Sequence, residues 1–183
     1  MDYKKTQDIL NKYAKYVVQQ SRSNLTKDKK GSGALYSSIN YELDYENNIF
    51  LLEFLMEDYG EYVDRGVKGK SPNSLPKGSK WYGIQKAPTS PFKFGAMKSR
   101  GLRAAINKWT VQKGINGIRD KKGRFIKRKS LQYLITRSIY LSGIKANFFF
   151  TKPFEKGLKN LGDKLLDAFV LDVENKLILG ETK

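Results

Sequence analysis

The segment Ile39-Asn40-Tyr41-Glu42-Leu43-Asp44-Tyr45-Glu46-Asn47-Asn48-Ile49-Phe50-Leu51-Leu52-Glu53-Phe54-Leu55-Met56 carries the clearest structural signal in the chain. Ile39, Tyr41, Leu43 and Tyr45 alternate with Asn40, Glu42, Asp44 and Glu46. Successive side chains of a strand point to opposite faces, so a period of two means one buried face and one wet face. Asn47-Asn48 can take the positive φ of a tight turn, and Ile49 to Met56 then returns as the partner strand. Its nearly continuous apolar run predicts deeper burial than the first strand, with Leu43, Leu51 and Phe54 in the core.

Helical patterns flank this hairpin. Residues 2–21 place Ile9, Leu10, Tyr13 and Val17 on one helical face, followed by a polar, Lys- and Gly-rich connection from Ser21 to Gly33. Beyond the hairpin, Glu57 to Arg65 reads as a short helix or turn ending near Gly66. Val67 to Gly95 contains Pro72, Pro76, Pro88 and Pro91 among many Gly, Ser and Lys residues, the composition of a long irregular loop. Trp81, Tyr82, Phe92 and Phe94 in that loop require docking partners, and contacts between subunits are expected to help order it. Leu102, Ala105, Ile106 and Trp109 then form a helical face stopped by Gly114. Ser130 is the expected N-cap of a helix bearing Leu131, Leu134, Ile135, Ser138 and Leu141 and ended by Gly143. Ala146 to Thr151, with Phe148-Phe149-Phe150, reads as a short strand. Pro153 opens a last helix carrying Phe154, Leu158, Leu161, Leu165 and Phe169. The expected fold is α+β, an antiparallel sheet packed against helices, with a long basic loop and helix elaboration in the middle of the chain.

With 183 residues, 39% of them hydrophobic, the chain has the material of one domain with a real core. No apolar run approaches the roughly 20 residues that span a bilayer, and Met1 to Lys5 leads into no signal-peptide core. A soluble chain is expected, with no membrane partner. The chain has no Cys and no His. That removes disulfides, thiolate nucleophiles, Cys/His zinc sites and any histidine general base. No Walker-type loop is present, and Gly31-Ser32-Gly33 lacks the strand–turn–helix setting of a dinucleotide site. No cofactor is expected.

The net charge of +17 is unevenly distributed. Residues 1–64 carry −3 and residues 141–183 carry +1, whereas residues 65–140 carry +19 with Asp120 as their single acid. A block of that length is a polyanion-binding surface or a solvated excess. Its extent favours a polyanion, either nucleic acid or an acidic protein surface. The densest part is Arg119-Asp120-Lys121-Lys122-Gly123-Arg124-Phe125-Ile126-Lys127-Arg128-Lys129, where Lys122-Gly123-Arg124 reads as a turn between two extended pieces. Lys121, Lys122, Arg124, Lys127, Arg128 and Lys129 are the candidate contacts, to DNA phosphates or to a partner. The acids of residues 42–64 on a neighbouring copy are the alternative target, with Phe125 and Ile126 anchoring the arm to a core or a neighbouring subunit. Glu42, Asp44 and Glu46 share one strand face and could hold a hard divalent cation, as a metal-dependent nuclease would require. Alternating acids on an exposed strand are ordinarily its solvated side, so no catalytic or metal residue is assigned.

Three segments, taken in order, resemble the tail-completion and neck proteins of tailed bacteriophages. Ser32-Gly33-Ala34-Leu35-Tyr36-Ser37-Ser38-Ile39 is similar to their entry into the first strand, with Gly33, Leu35 and Ser38 at the matching positions. Tyr59-Gly60-Glu61-Tyr62-Val63-Asp64-Arg65-Gly66 is similar to the segment after the second strand, through Tyr59, Tyr62, Asp64 and Gly66, with Asp64 where Glu is usual. Lys152-Pro153-Phe154-Glu155-Lys156-Gly157-Leu158 is similar to the entry into the closing helix, through Pro153 and Phe154. The resemblance covers roughly 1–66 and 145–175 and leaves 67–147 as a basic expanded region within a single domain over 1–183. It implies a structural virion protein, not an enzyme. Such a protein would form a ring of copies around the DNA conduit at the neck or head–tail junction, after synthesis in the bacterial host cytoplasm. Implied partners are neighbouring neck, portal-adaptor or tail proteins and packaged double-stranded DNA. The alternative from the charge alone is a non-sequence-specific nucleic-acid-binding accessory protein.

Overall fold

A computed structural model describes residues 3–27, 33–47, 49–95, 100–115, 118–120 and 122–180. In chain order the elements are α1 (Lys4–Lys27), α2 (Ala34–Ser38), β1 (Asn40–Glu46), β2 (Ile49–Leu55), α3 (Gly60–Arg65), β3 (Val67–Lys68), a 3-10 turn (Pro72–Ser74), α4 (Arg100–Gln112), α5 (Arg128–Ser142), β4 (Gly143–Ile144), α6 (Thr151–Leu158) and α7 (Leu161–Gly180). Among the described residues the strands form two separate antiparallel pairs, so the fold is α+β. The chain divides into two compact units, 1–60 with 148–183 and 61–147.

In the first unit α1 presents Leu10, Tyr13, Ala14, Val17, Val18, Ser21 and Leu25 inward. The helix does not stop at Ser21. Ser21 and Leu25 follow Tyr13 and Val17 at steps of four on the same buried face, so the expected connection is helical as far as Lys27. The hairpin forms with Asn47 at φ 50, while Asn48 lies outside the described residues. Its register pairs Leu43 with Leu52, Asp44 with Leu51 and Glu42 with Glu53. Tyr41, Leu43, Tyr45, Phe50, Leu52 and Phe54 are therefore half-buried on one face. Two expectations are corrected here. β2 is no more buried than β1, and Leu51 is 51% exposed instead of core, because it shares the outward face with Asp44.

The Phe54 ring lies 5.4 Å from Phe150 and 5.9 Å from Phe154, with Tyr13 edge-on at 6.2 Å. The Tyr13 hydroxyl donates to the Phe154 carbonyl at 3.2 Å, and burial pushes its pKa up to about 12. Residues 146–150 are not a strand: Phe148 turns at φ 54 and delivers fully buried Phe149 into the core. The closing helix is two helices, since α6 ends at Leu158 and α7 starts at Leu161. The buried carboxylate of Asp172 on α7 accepts hydrogen bonds from the Lys5 amide (3.0 Å), the Thr6 amide (2.8 Å) and the Thr6 hydroxyl (2.8 Å). It thereby caps the first turn of α1, whose amides have no partner within the helix. Burial opposes its ionisation, but the bonds from Thr6 and Lys5 outweigh that and hold the carboxyl below the usual aspartate range.

In the second unit β3 and β4 cross at very close range. With Gly66 at φ +71 and Gly143 at φ +90, a Cβ at either position would collide with a carbonyl oxygen on the opposite strand, that of Ile144 and that of Val67 respectively. Only glycine takes both that conformation and that proximity. The segment 67–95 is more ordered than its composition predicts. Lys68 donates its amide to the Phe92 carbonyl, Gln85 brackets the Gly69 backbone at 2.7 and 2.9 Å, and the Ser90 hydroxyl reaches the Gly66 carbonyl at 2.7 Å. Three of its four aromatics dock inside the same unit, Phe92 on Tyr62 at 4.5 Å, Phe94 near Tyr140 at 5.9 Å and Trp81 under Lys86 at 4.2 Å, whereas Tyr82 is exposed. Burial lowers the pKa of that lysine. α5 begins at Arg128 with Lys127 at the N-cap, one turn before the expected cap, Ser130.

Candidate nucleic-acid interface

The second unit, residues 61–147, holds 21 Lys and Arg against 3 Asp and Glu. Its arm is a hairpin of minimal length. The Asp120 amide donates to the Arg124 carbonyl at 2.8 Å and the Ile126 amide to the Ile118 carbonyl at 2.9 Å, while Gly123 turns at φ +78. Asp120, the single acid of residues 65–140, is what closes it. Asp120 Oδ1 accepts the amides of Lys122 and Arg124 at 2.9 Å each, and Oδ2 pairs with the Arg124 guanidinium at 3.0 Å. The Arg124 amide first, with the further bonds from Arg124 and Lys122, holds this carboxyl below its ordinary pKa against a smaller opposing effect of burial. Arg119 and Phe125 are directly paired across the arm, with the guanidinium carbon 4.1 Å from the ring centre.

The six predicted contact residues thus separate by environment. Lys122, Lys127 and Lys129 are exposed. Arg124 is exposed but shares its charge with Asp120. Arg128 is exposed and donates to Asn107 Oδ1 at 3.0 Å, beside a 2.6 Å bond from Gln132 to the same oxygen. Lys121 lies outside the described residues. Arg128 and Lys129 sit in the first turn of α5, which has no acid. Cations there oppose the helix dipole, by about 0.3–1 kcal/mol each, and a bound anion would relieve that conflict. Composition pointed to the lysines and arginines of this arm. It gave no sign of Asn107 or of the Arg119–Phe125 pair, because a turn centred on Gly123 would set Phe125 opposite Lys121 rather than Arg119.

The nine residues of the resemblance motifs fall in turns, in the buried interior and at the surface. Gly33 precedes α2 at φ 139, and Leu35 is buried. The Ser38 hydroxyl donates to the Leu35 carbonyl at 3.1 Å and accepts the Glu57 amide at 3.1 Å, tying the start of β1 to the end of β2. Tyr59 and Tyr62 are largely exposed, Asp64 is buried, and Gly66 makes the close crossing described above. Pro153 is buried in α6, and Phe154 belongs to the aromatic cluster. The acids considered for a cation do not converge. Glu42, Asp44 and Glu46 lie on the outward face of the hairpin, and the described residues contain no group of three or more potential ligands placed to hold a metal ion. Among the described residues no helix is long and apolar enough to cross a membrane. Comparison with protein-family models, curated proteins and solved structures yields no match.

Proposed function

We propose that this chain is a structural subunit of a tailed-phage neck or tail, assembling with copies of itself around double-stranded DNA, without catalytic activity. The observation that carries the reading is the confinement of the positive charge to one compact unit, ending in a pre-formed basic hairpin with exposed lysines. Such a surface follows a phosphate backbone through charge and counterion release and needs no base contacts. The three motif segments support the family assignment, since they fall at the entry to β1, directly after β2 and at the start of α6. In this reading the protein resides in the virion, among other neck, portal-adaptor or tail components, and is made in the bacterial host cytoplasm.

The test is light scattering coupled to size exclusion, with and without double-stranded DNA, followed by electron microscopy of any assembled form. Rings enclosing an axial channel are the expected result. A protein that binds DNA but stays a monomer or dimer would replace this reading with that of a nucleic-acid-binding accessory protein. Monomers that ignore DNA would overturn both.

A further inference from the structure

The outward face of the β1–β2 hairpin is unlike the rest of this basic chain. It consists of Asn40, Glu42, Asp44 and Glu46 facing Leu55, Glu53, Leu51 and Ile49, with no Lys or Arg among the eight. Ile49 is 66% exposed, Leu51 51% and Leu55 41%. Glu42 stands directly opposite Glu53, a like-charge pairing that destabilises an isolated hairpin. Exposed apolar residues beside carboxylates, on a face without Lys or Arg, match a partner that is cationic and carries an apolar tip. The arm has that composition: Phe125 is 64% exposed, with Arg119 stacked over its ring and lysines on either side.

We infer that the outward hairpin face of one copy receives the arm of a second copy, with Phe125 on the aliphatic patch and Arg119 toward the Glu42–Glu53 pair. The inference rests on the proposed self-assembly and names the surface that mediates it. It divides the arm between two partners. The Arg119–Phe125 face meets protein, while Lys122, Lys129 and, at the edge of the contact, Lys127 remain for phosphates. A contact between two different surfaces is heterologous, the type that propagates from copy to copy and closes into a ring when the rotation allows.

Because the chain has no cysteine, the contact can be trapped cleanly. One preparation carries Asp44→Cys, a second of different mass carries Lys127→Cys, and the two are mixed and oxidised. The expected product is the mixed disulfide dimer, in at least about tenfold excess over either homodimer, as a surface-specific contact requires. Phe125→Ser and Leu51→Ser, both at exposed positions, should each weaken self-association by about tenfold or more without moving thermal unfolding. Equal yields of all three dimers would overturn the inference, as would unaltered self-association of both serine variants. So would an internal disulfide forming in a dilute monomer that carries both cysteines. If the unmodified protein assembles while the mixed cysteines fail to cross-link, the inference falls and the proposed function stands. If the unmodified protein never self-associates, with or without DNA, the proposed function falls and takes the inference with it.

Discussion

Replacing Lys122, Lys127 and Lys129 together by Gln tests the DNA reading at the place where the structure makes it quantitative. These three lysines are exposed, whereas Arg124 is engaged by Asp120 and Arg128 by Asn107. Each phosphate neutralised contributes about 0.9 to the slope of log K against log salt. Removing three phosphate-neutralising charges should therefore reduce the magnitude of that slope by about 2.7, which at 0.1 M salt corresponds to at most about 500-fold in affinity. Fluorescence anisotropy with a labelled duplex, titrated at several salt concentrations, reads both quantities. A second duplex of unrelated sequence should give the same slope, because phosphates carry no sequence information. Thermal unfolding should move little, since exposed substitutions ordinarily stay within about 0.5 kcal/mol. An unchanged slope in a folded triple variant would refute the assignment of these lysines to DNA.

Three further outcomes are expected. Asp172→Ala leaves the Thr6 amide and hydroxyl without their buried acceptor and should destabilise the first unit by about 2–3 kcal/mol in urea denaturation; Asp172→Asn, which keeps one acceptor oxygen, should cost less. Because the folded-state pKa of Asp172 is depressed, its contribution is present above the unfolded-state value and lost as pH falls through the folded one, so the gap between wild type and Asp172→Ala should close in acid. In the hairpin, Leu51→Ala should change stability by less than about 0.5 kcal/mol, as an exposed site does, whereas Phe54→Ala in the half-buried aromatic cluster should cost about 2–4 kcal/mol. Asp120→Ala removes the carboxylate oxygen that accepts both the Lys122 and the Arg124 amide, so the protection of these amides against hydrogen exchange, taken relative to the intrinsic rate at the same pH, should fall, and acidification below the ordinary aspartate range should lower it likewise in the wild type.

The hairpin was legible wherever polar and apolar residues alternate, as at Tyr41, Leu43 and Tyr45. It was misread in Ile49 to Leu55, where an almost unbroken apolar run conceals which residues face outward. Counting back from the turn resolves the phase, since Leu51 must face Asp44. The polar composition of Ser21 to Gly33 hides the last turns of α1, although the spacing of Ser21 from Val17 and Leu25 keeps it on the buried face. The division between α6 and α7 left no mark, because Leu158 and Leu161 preserve helical spacing across it. In the basic region the turn at Lys122–Gly123–Arg124 was readable from Gly123 and its neighbours, a purely local matter. The ordering of 67–95 was not, since Ser90, Gln85 and Phe92 find their partners at Gly66, Gly69 and Tyr62, which composition does not reveal. Long-range polar ties are illegible for the same reason. Nothing around Thr6 announces an acceptor 166 positions away.

That last tie has a consequence for how the molecule is made. A chain emerges from the ribosome N-terminus first, at about 5–20 residues per second, so the carboxylate that caps α1 follows Lys5 by about 8–33 s. Throughout that interval α1 lacks this cap, and for most of it α7 and the Phe149 carbonyl that accepts from Asn24 are also still to be made, whereas most of the stability of a helix in a protein comes from tertiary packing of its apolar face. The second unit lies wholly between the two halves of the first, so every residue of it is synthesised before the first unit can close. The basic unit, with its exposed arm, therefore has the opportunity to fold while the first unit is still incomplete.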